Sequence, residues 1–384
     1  MNGLAELVEE RTIIVCCGSG GVGKTTAAGA LAVAGAQRGR RTCVVTIDPA
    51  KRLADALGLD SLTNEPGRID GDWPAGGELW ALMLDTKTTF DDLVARYATD
   101  EDQAALILGN RLYRNIAGAL SGTQEYMAME KLHELYDEGR FDLIVVDTPP
   151  TRNALDFLDA PRRLTRFLDN KIFKLLMTPA RTYMKVVGVA TQAFLRTVAK
   201  VVGSDVVKDA VDFFTAFEGM EQGFRDRAQR VLELLSEPMT AFVLVAAPRR
   251  DAIEEALYFA ARLGESAIDV QALVVNRMHP HFGPPPSVLT SPEAASAPDA
   301  AMLLRLVENL RDLDRIAERE ERHLGDLTRR VAPAPVVRVP LLDDDVHDLP
   351  GLMQVGRHLM GDGVAAGDPA GSDGGKRAAA RPTA

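Results

Sequence analysis

A run of β-branched and small apolar residues, Thr12-Ile13-Ile14-Val15-Cys16-Cys17, feeds a glycine loop, Gly18-Ser19-Gly20-Gly21-Val22-Gly23-Lys24-Thr25-Thr26, which opens into an alanine-rich stretch over 27–37. The loop fits G-x-x-x-x-G-K-[ST] in full and sits between a strand pattern and a run of strong helix formers. Glycines let successive backbone N–H groups converge on an anion with no Cβ in the way, and the positive end of the following helix adds to the attraction. The stretch therefore predicts a cradle for a polyphosphate. Gly20, Gly21, Val22, Gly23, Lys24, Thr25 and Thr26 are expected to hold ATP, with Lys24 on the β- and γ-phosphates. The Thr25 hydroxyl is expected to ligate Mg²⁺, which takes oxygen donors.

Beyond the loop, strand and helix patterns alternate. Residues 41–47 read as a second buried strand ending at Asp48-Pro49-Ala50. A right-handed crossover would put Asp48 at a strand's carboxyl end, the edge where open α/β sheets bind ligands. Residues 52–58 read as a helix that an Asp before Pro also caps, so a structural and a catalytic reading of Asp48 stand together. Residues 63–77, rich in Gly, Pro and Asp, read as a surface loop, 79–84 as a strand and 88–139 as helical stretches. Residues 141–147 form a buried strand closed by Asp147, where a phosphate-loop fold needs a carboxylate facing Mg²⁺. The stiff turn Thr148-Pro149-Pro150-Thr151 follows, a candidate nucleotide-sensing switch.

Residues 160–237 show only helical spacing of Phe, Leu, Met and Val. Their apolar faces, Phe213, Phe217 and Phe224 among them, either pack on one another and the sheet or line an adaptable groove with Met177, Met184 and Met220. Strands return at 241–246 and 270–275, the second ending at Asn276, with a helix over 251–263 between them. A Pro- and Ser-rich loop, a long charged helix over 302–330, a strand over 335–342 and a helix over 349–360 complete the pattern. The expected organisation is an ATPase core in two parts, 1–159 and 238–360, a helical subdomain over 160–237 inserted between them, and a disordered Gly- and Ala-rich tail over 361–384. The fold class is α/β, a phosphate-loop NTPase with a mostly parallel central sheet.

Charge and cysteine usage narrow the partners. A net charge of -11 argues against a nucleic-acid backbone as ligand, which needs clustered Lys and Arg. Three cysteines in 384 residues, two adjacent in a strand pattern, make neither a disulfide framework nor a paired metal site. The acidic N-terminal residues do not read as a secretory signal, and the apolar stretch over 186–195 has about half the length that crossing a bilayer requires. The expectation is a soluble cytoplasmic protein with no membrane span.

Taken in order, the glycine loop, Thr46-Ile47-Asp48-Pro49-Ala50, Asp147-Thr148-Pro149-Pro150-Thr151 with Leu155, Phe157 and Leu158, the helical insertion and a strand ending Val-Asn resemble the arsenical-pump-driving ATPases and their relatives that target tail-anchored membrane proteins. The resemblance covers residues 12–360. It implies a nucleotide-dependent dimer, with Asp48 positioning the attacking water, Asp147 opening a second switch, Asn276 on the adenine and 341–345 as an adenine loop. It also implies either a hydrophobic protein client or a membrane anion transporter as the partner. The chain departs from the family where most members carry a loop lysine that reaches across the dimer, and here has Ser19. That departure implies slow hydrolysis, a homodimer served by another basic residue, a heterodimer with a paralogous ATPase, or a scaffold that has lost turnover. Arg249 stands where relatives tend to carry an acid. The zinc-binding C-x-x-C of the eukaryotic branch is absent, leaving His279 and His281, and no zinc is expected.

Overall fold

The computed structural model describes residues 3–48, 50–111, 113–114, 123–149, 166, 209, 212–213, 215–217, 219–283 and 299–362. Most of the expected helical subdomain, including Met177 and Met184, lies outside these residues, as do Pro49, the switch turn beyond Pro149, and 363–384 of the tail.

The core is an eight-stranded sheet. Its strands are β1 Ile13–Cys17, β2 Arg41–Thr46, β3 Gly67–Ile69, β4 Glu78–Met83, β5 Leu143–Asp147, β6 Thr240–Ala246, β7 Val270–Met278 and β8 Val336–Pro340. They run in the order β3-β4-β2-β5-β1-β6-β7-β8, with every pairing parallel except β3 against β4. Strands from both parts of the chain thus join one sheet. β1 lies between β5 and β6, so the chain leaves β1 toward one edge through β2 and β4 and returns to build the other edge from β6 onward. The strand order reverses beside β1, and that reversal opens a crevice at the carboxyl ends of the strands.

Alternate residues of β1 feed different cores. Ile13, Val15 and Cys17 belong to the apolar cluster on one face of the sheet, Ile14 and Cys16 to the cluster on the other. Burial on both faces is why these strands read as continuous apolar runs rather than alternating ones. On the second face lie α1 Gly3–Glu10, α2 Lys24–Gln37, α3 Arg52–Leu57 and, near the C-terminus, the helix Leu349–Met360. The alanine richness of α2 follows from its position. It is buried on nearly all sides, and a Cβ on Gly29 would sit 3.2 Å from Leu352, while one on Gly35 would sit 2.6 Å from the Thr42 hydroxyl. A helix squeezed between a sheet and a second helix has room only for small side chains.

The first face is covered by α4 Thr86–Tyr97, α5 Glu101–Gly109, α6 Thr123–Asp137, α7 Glu221–Ser236, α8 Arg250–Glu265 and α9 Ala300–Val331; the helix Leu349–Met360 is α10. Within this layer Phe213, Phe217, Met220 and Phe224 are buried in an aromatic cluster with Phe90, Tyr97 and Tyr113. For these four residues the packing explanation of the apolar spacing holds.

Three expectations need correction, and one element is additional. The 63–77 segment is not all loop, because Gly67–Ile69 adds an antiparallel edge strand to β4. The helix after Asp48 stops at Leu57, where Gly58 takes a left-handed φ of 71° and its N–H bonds back to the last turn. β7 runs past Asn276 to Met278, with an irregularity in its pairing after Val275. The N-terminal segment, given no element from sequence, is the helix α1.

Candidate active site

The glycine loop joins β1 to α2 at the reversal point, and its glycines do different work. Gly18 has φ +148°, and a Cβ there would come within 2.1 Å of the Val245 carbonyl oxygen of β6. Gly23 has φ +94°, and a Cβ there would meet the Asn276 amide nitrogen at 2.1 Å. Both are places where backbone or side chain approaches too closely for any other residue. Gly21, at φ +74°, faces open space. Asn276 donates to the Val22 carbonyl at 3.0 Å, so β7 braces the loop from outside.

Behind the loop lies a buried carboxylate. Asp147 ends β5 with no exposure, and its Oδ2 accepts from the Thr25 hydroxyl at 2.8 Å and from the Thr46 hydroxyl at 2.9 Å. Its Oδ1 has no hydrogen-bond partner among the described residues. Burial raises the Asp147 carboxyl to a pKa of about 6, against the opposing pull of those two hydroxyls and the charge of Lys24. Lys24 is itself buried, which lowers its pKa, while Asp147 opposes that shift. Its ammonium donates to the Ser19 carbonyl at 2.9 Å. The Ser19 side chain is neutral and buried, and its oxygen has no hydrogen-bond partner among the described residues.

Asp48 follows β2 on the same edge. Its Oδ1 accepts from the Ala50 N–H at 3.0 Å and its Oδ2 from Arg52 at 3.2 Å. The residue preceding α3 is Lys51, which makes no side-chain cap, so Asp48 closes the turn ahead of the helix rather than capping it. Gln124, at the start of α6, donates to the Ile47 carbonyl at 2.8 Å and holds the peptide just before Asp48. Thr148 donates its hydroxyl to the Cys16 carbonyl at 2.8 Å and fixes the exit from β5.

Lys24, Thr25, Asp48, Arg52 and Asn276 share one cleft of about 470 Å³, whose far wall is the 340–346 segment after β8. Gly21, Gly23 and Thr26 line it too, and Asp147 stands behind Thr25. Sequence reasoning named most of these. It missed Thr46 as a ligand of Asp147, Gln124 behind Asp48, and Arg52. Thr46 lay inside a motif already noted, and Gln124 left no local signal because its partner is 77 residues away.

The donor set fits a magnesium-bound nucleotide: a hydroxyl at the helix start, a buried carboxylate with an oxygen that has no partner among the described residues, and a buried ammonium against the loop. The remaining expected positions lie apart from it. Arg249 is exposed and pairs with its own neighbour Asp251 at 3.7 Å. His279 Nδ1 lies 2.7 Å from Glu320 Oε1, and His281 is exposed. Cys16, Cys17 and Cys43 are all buried, which pushes each thiol's pKa up.

The sequence profile of the anion-transporting ATPases matches residues 11–283. The chain belongs to that family. Among its relatives, the ATPase GET3 of Malassezia globosa is 24% identical over 359 residues, covering 93% of this chain and 94% of that protein. A candidate arsenical pump-driving ATPase 1 of Aquifex aeolicus is 26% identical over 380 residues, 91% of this chain and 79% of its own. An ATPase ASNA1 homolog of Babesia bovis is 27% identical over 284 residues, 73% and 71% of the two chains. All three relatives carry the name of an ATPase. No helix among the described residues is long and apolar enough to cross a membrane.

Proposed function

We propose that this chain hydrolyses ATP to ADP and phosphate, and that the bound nucleotide sets the conformation of a dimer, either a homodimer or a heterodimer with a paralogous ATPase. The observation that carries the reading is the pairing of Thr25 and Thr46 on one oxygen of buried Asp147, directly behind the glycine cradle. Thr25 and the unused Asp147 oxygen would hold the metal, which when bound supplies positive charge to the β- and γ-phosphoryl oxygens.

The chain's own residues do the rest. Loop N–H groups and the start of α2 bind the phosphates, and Lys24 exchanges the Ser19 carbonyl for phosphoryl oxygens. Asp48 orients the attacking water and accepts its hydrogen bond, held in place by Ala50 in front and by Gln124 behind. Asn276 contacts the adenine as well as bracing Val22, and the 341–345 segment closes over the base. The order of loops around the γ-phosphate is the physical means of reporting nucleotide state.

Of the two outputs that the resemblance implies, handling of a hydrophobic protein client fits better than energising transport of a soft anion through thiols. All three cysteines are buried, which pushes their thiol pKa up, whereas a soft-anion site needs accessible thiolates. The apolar spacing that remains unassigned lies over 160–208. A scaffold without turnover is the second reading, favoured by the neutral side chain of Ser19.

The deciding experiment is calorimetry of ATP with Mg²⁺ on the wild type and on Lys24→Ala. The variant is expected to lose roughly 100-fold or more in affinity. Unchanged affinity would show that the loop is not the cradle. Single-turnover hydrolysis by the wild type at the uncatalysed rate, unrescued by Ser19→Lys, would select the scaffold.

A further inference from the structure

The cleft is short of positive charge where a triphosphate needs it. Within the loop, residues 18–26 bring one cation, Lys24. The other bases lining the cleft are Arg52 and Arg277, against the acids Asp48, Asp55, Asp344 and Asp345. Arg277 neighbours Asn276 on β7. Arg52 opens α3, four residues along from the carboxylate that it pairs with.

The Arg52–Asp48 pair is built to be exchanged. The guanidinium side chain is 59% exposed and Asp48 only 11%, so the bond joins a free-moving cation to a fixed anion. The exposed guanidinium is screened by solvent and makes a single bond to Asp48, whereas a phosphoryl group offers it two parallel charge-assisted bonds. The two oxygens of Asp48 are also used differently. Oδ1 is anchored by the Ala50 N–H, and Oδ2 is taken by Arg52. If Arg52 leaves, Asp48 keeps its orientation through Oδ1 and gains an open acceptor at Oδ2. Arg52 is also near enough to Lys24 to be sensed electrostatically: it adds to the lowering of the Lys24 pKa that burial dominates.

We propose that Arg52 is a catalytic residue acting within its own chain: on nucleotide binding it moves from Asp48 Oδ2 to the γ-phosphoryl oxygens. That one movement places positive charge where the transition state gathers negative charge, and frees Asp48 Oδ2 to accept a hydrogen bond from the attacking water. No proton changes hands in the exchange. The bond broken in the reaction is the one from the γ-phosphorus to the β–γ bridging oxygen, which leaves on ADP with the electron pair; the bond formed joins that phosphorus to the water oxygen, and one water proton stays on the phosphate while the other passes to solvent. The inference rests on the hydrolase reading above and deepens it.

The test compares full-length wild type, Arg52→Gln and Arg52→Lys in three measurements: calorimetric affinity for ADP with Mg²⁺, affinity for ADP with Mg²⁺ and aluminium fluoride as a transition-state mimic, and single-turnover ATP hydrolysis. The wild type is expected to bind the fluoroaluminate complex much more tightly than ADP. Arg52→Gln is expected to keep ADP affinity within about threefold while losing about 100-fold in both fluoroaluminate affinity and hydrolysis. Arg52→Lys should recover part of both losses, since it restores charge without the fork. Because Arg52 is exposed, melting temperatures should agree within about 2 °C, which separates the effect from misfolding.

Equal losses for ADP and the mimic, or a wild-type protein that binds both equally, would overturn the proposal even with no turnover to measure. Wild-type hydrolysis by Arg52→Gln would do the same while leaving the hydrolase reading intact. A wild type that binds no nucleotide sinks both.

Discussion

The two sides of the cleft are made on opposite plans. Lys24, Thr25, Thr46 and Asp147 are tied to one another and to the main chain around the loop, and Asp147 has no exposure at all. Across from them the buried Asp48 pairs with Arg52, whose guanidinium reaches the solvent edge, on a segment held by Gln124 and by the Asp147 carbonyl. Burying a carboxylate beside an ammonium is costly in a low dielectric, and the cost is tolerated where position matters more than stability. Weak exposed pairs cost little to form and little to break. The inner side is therefore suited to holding phosphate and metal at fixed points, and the outer side to changing partners as the nucleotide changes.

The largest expected effect comes from removing the inner carboxylate. Asp147→Asn should abolish the dependence of ATP affinity on Mg²⁺, a loss of roughly 100-fold, because the amide oxygen still accepts from Thr25 and Thr46 but carries no charge for the metal. The same variant should melt no lower than wild type. In the nucleotide-free protein burial holds Asp147 near pKa 6, above its unfolded value of about 4, so the ionised form carries a penalty above about pH 6 that is relieved as pH falls toward about 4. The variant should lack that component when stability is followed by chemical denaturation across this range. Preserved metal dependence would dissolve the distinction between the two sides.

Asp48→Asn should act on turnover alone. Its amide oxygen keeps the bond from Ala50, so nucleotide affinity should stay within about threefold, but hydrolysis should fall by about 100-fold. Hydrolysis at the wild-type rate would reduce Asp48 to a turn residue.

The smallest effects divide the glycines. Gly23→Ala drives a Cβ into Asn276 at a left-handed φ and should cost about 2–3 kcal/mol together with nucleotide affinity. Gly21→Ala meets nothing and should cost only about 1–2 kcal/mol, the conformational penalty alone. Equal losses at the two sites, read from urea midpoints, would mean that the brace from β7 carries no weight.

How much of this was legible in the sequence follows from how local each feature is. The glycine loop is contiguous and announces both its strand and its helix. Asp147 was legible because a strand-ending acid needs only its own strand to be recognised. Fold class followed from the order of strand and helix patterns, although Gly67–Ile69 was lost among glycines and prolines and the short α1 was passed over. Pairings could not be read this way. Thr46 meets Asp147 only because β2 and β5 are neighbours, an adjacency that a separation of 101 positions conceals. Asn276 was placed by resemblance alone; its bond to Val22 gives it a structural task that the spacing of residues did not suggest. Of the segment expected to form a helical insertion, Phe213, Phe217, Met220 and Phe224 are described and buried in the core.

The brace at Gly23 has a bearing on how the protein is made. Asn276 stands 254 residues beyond the carbonyl that it holds, and β1 is lined on one side by β6, which starts at Thr240. A ribosome-bound chain that has exposed the glycine loop, both threonines and both aspartates still lacks the strands that set the loop's curvature. Nucleotide capture should accordingly be a late event of synthesis, arriving only when the last third of the polypeptide has joined the first.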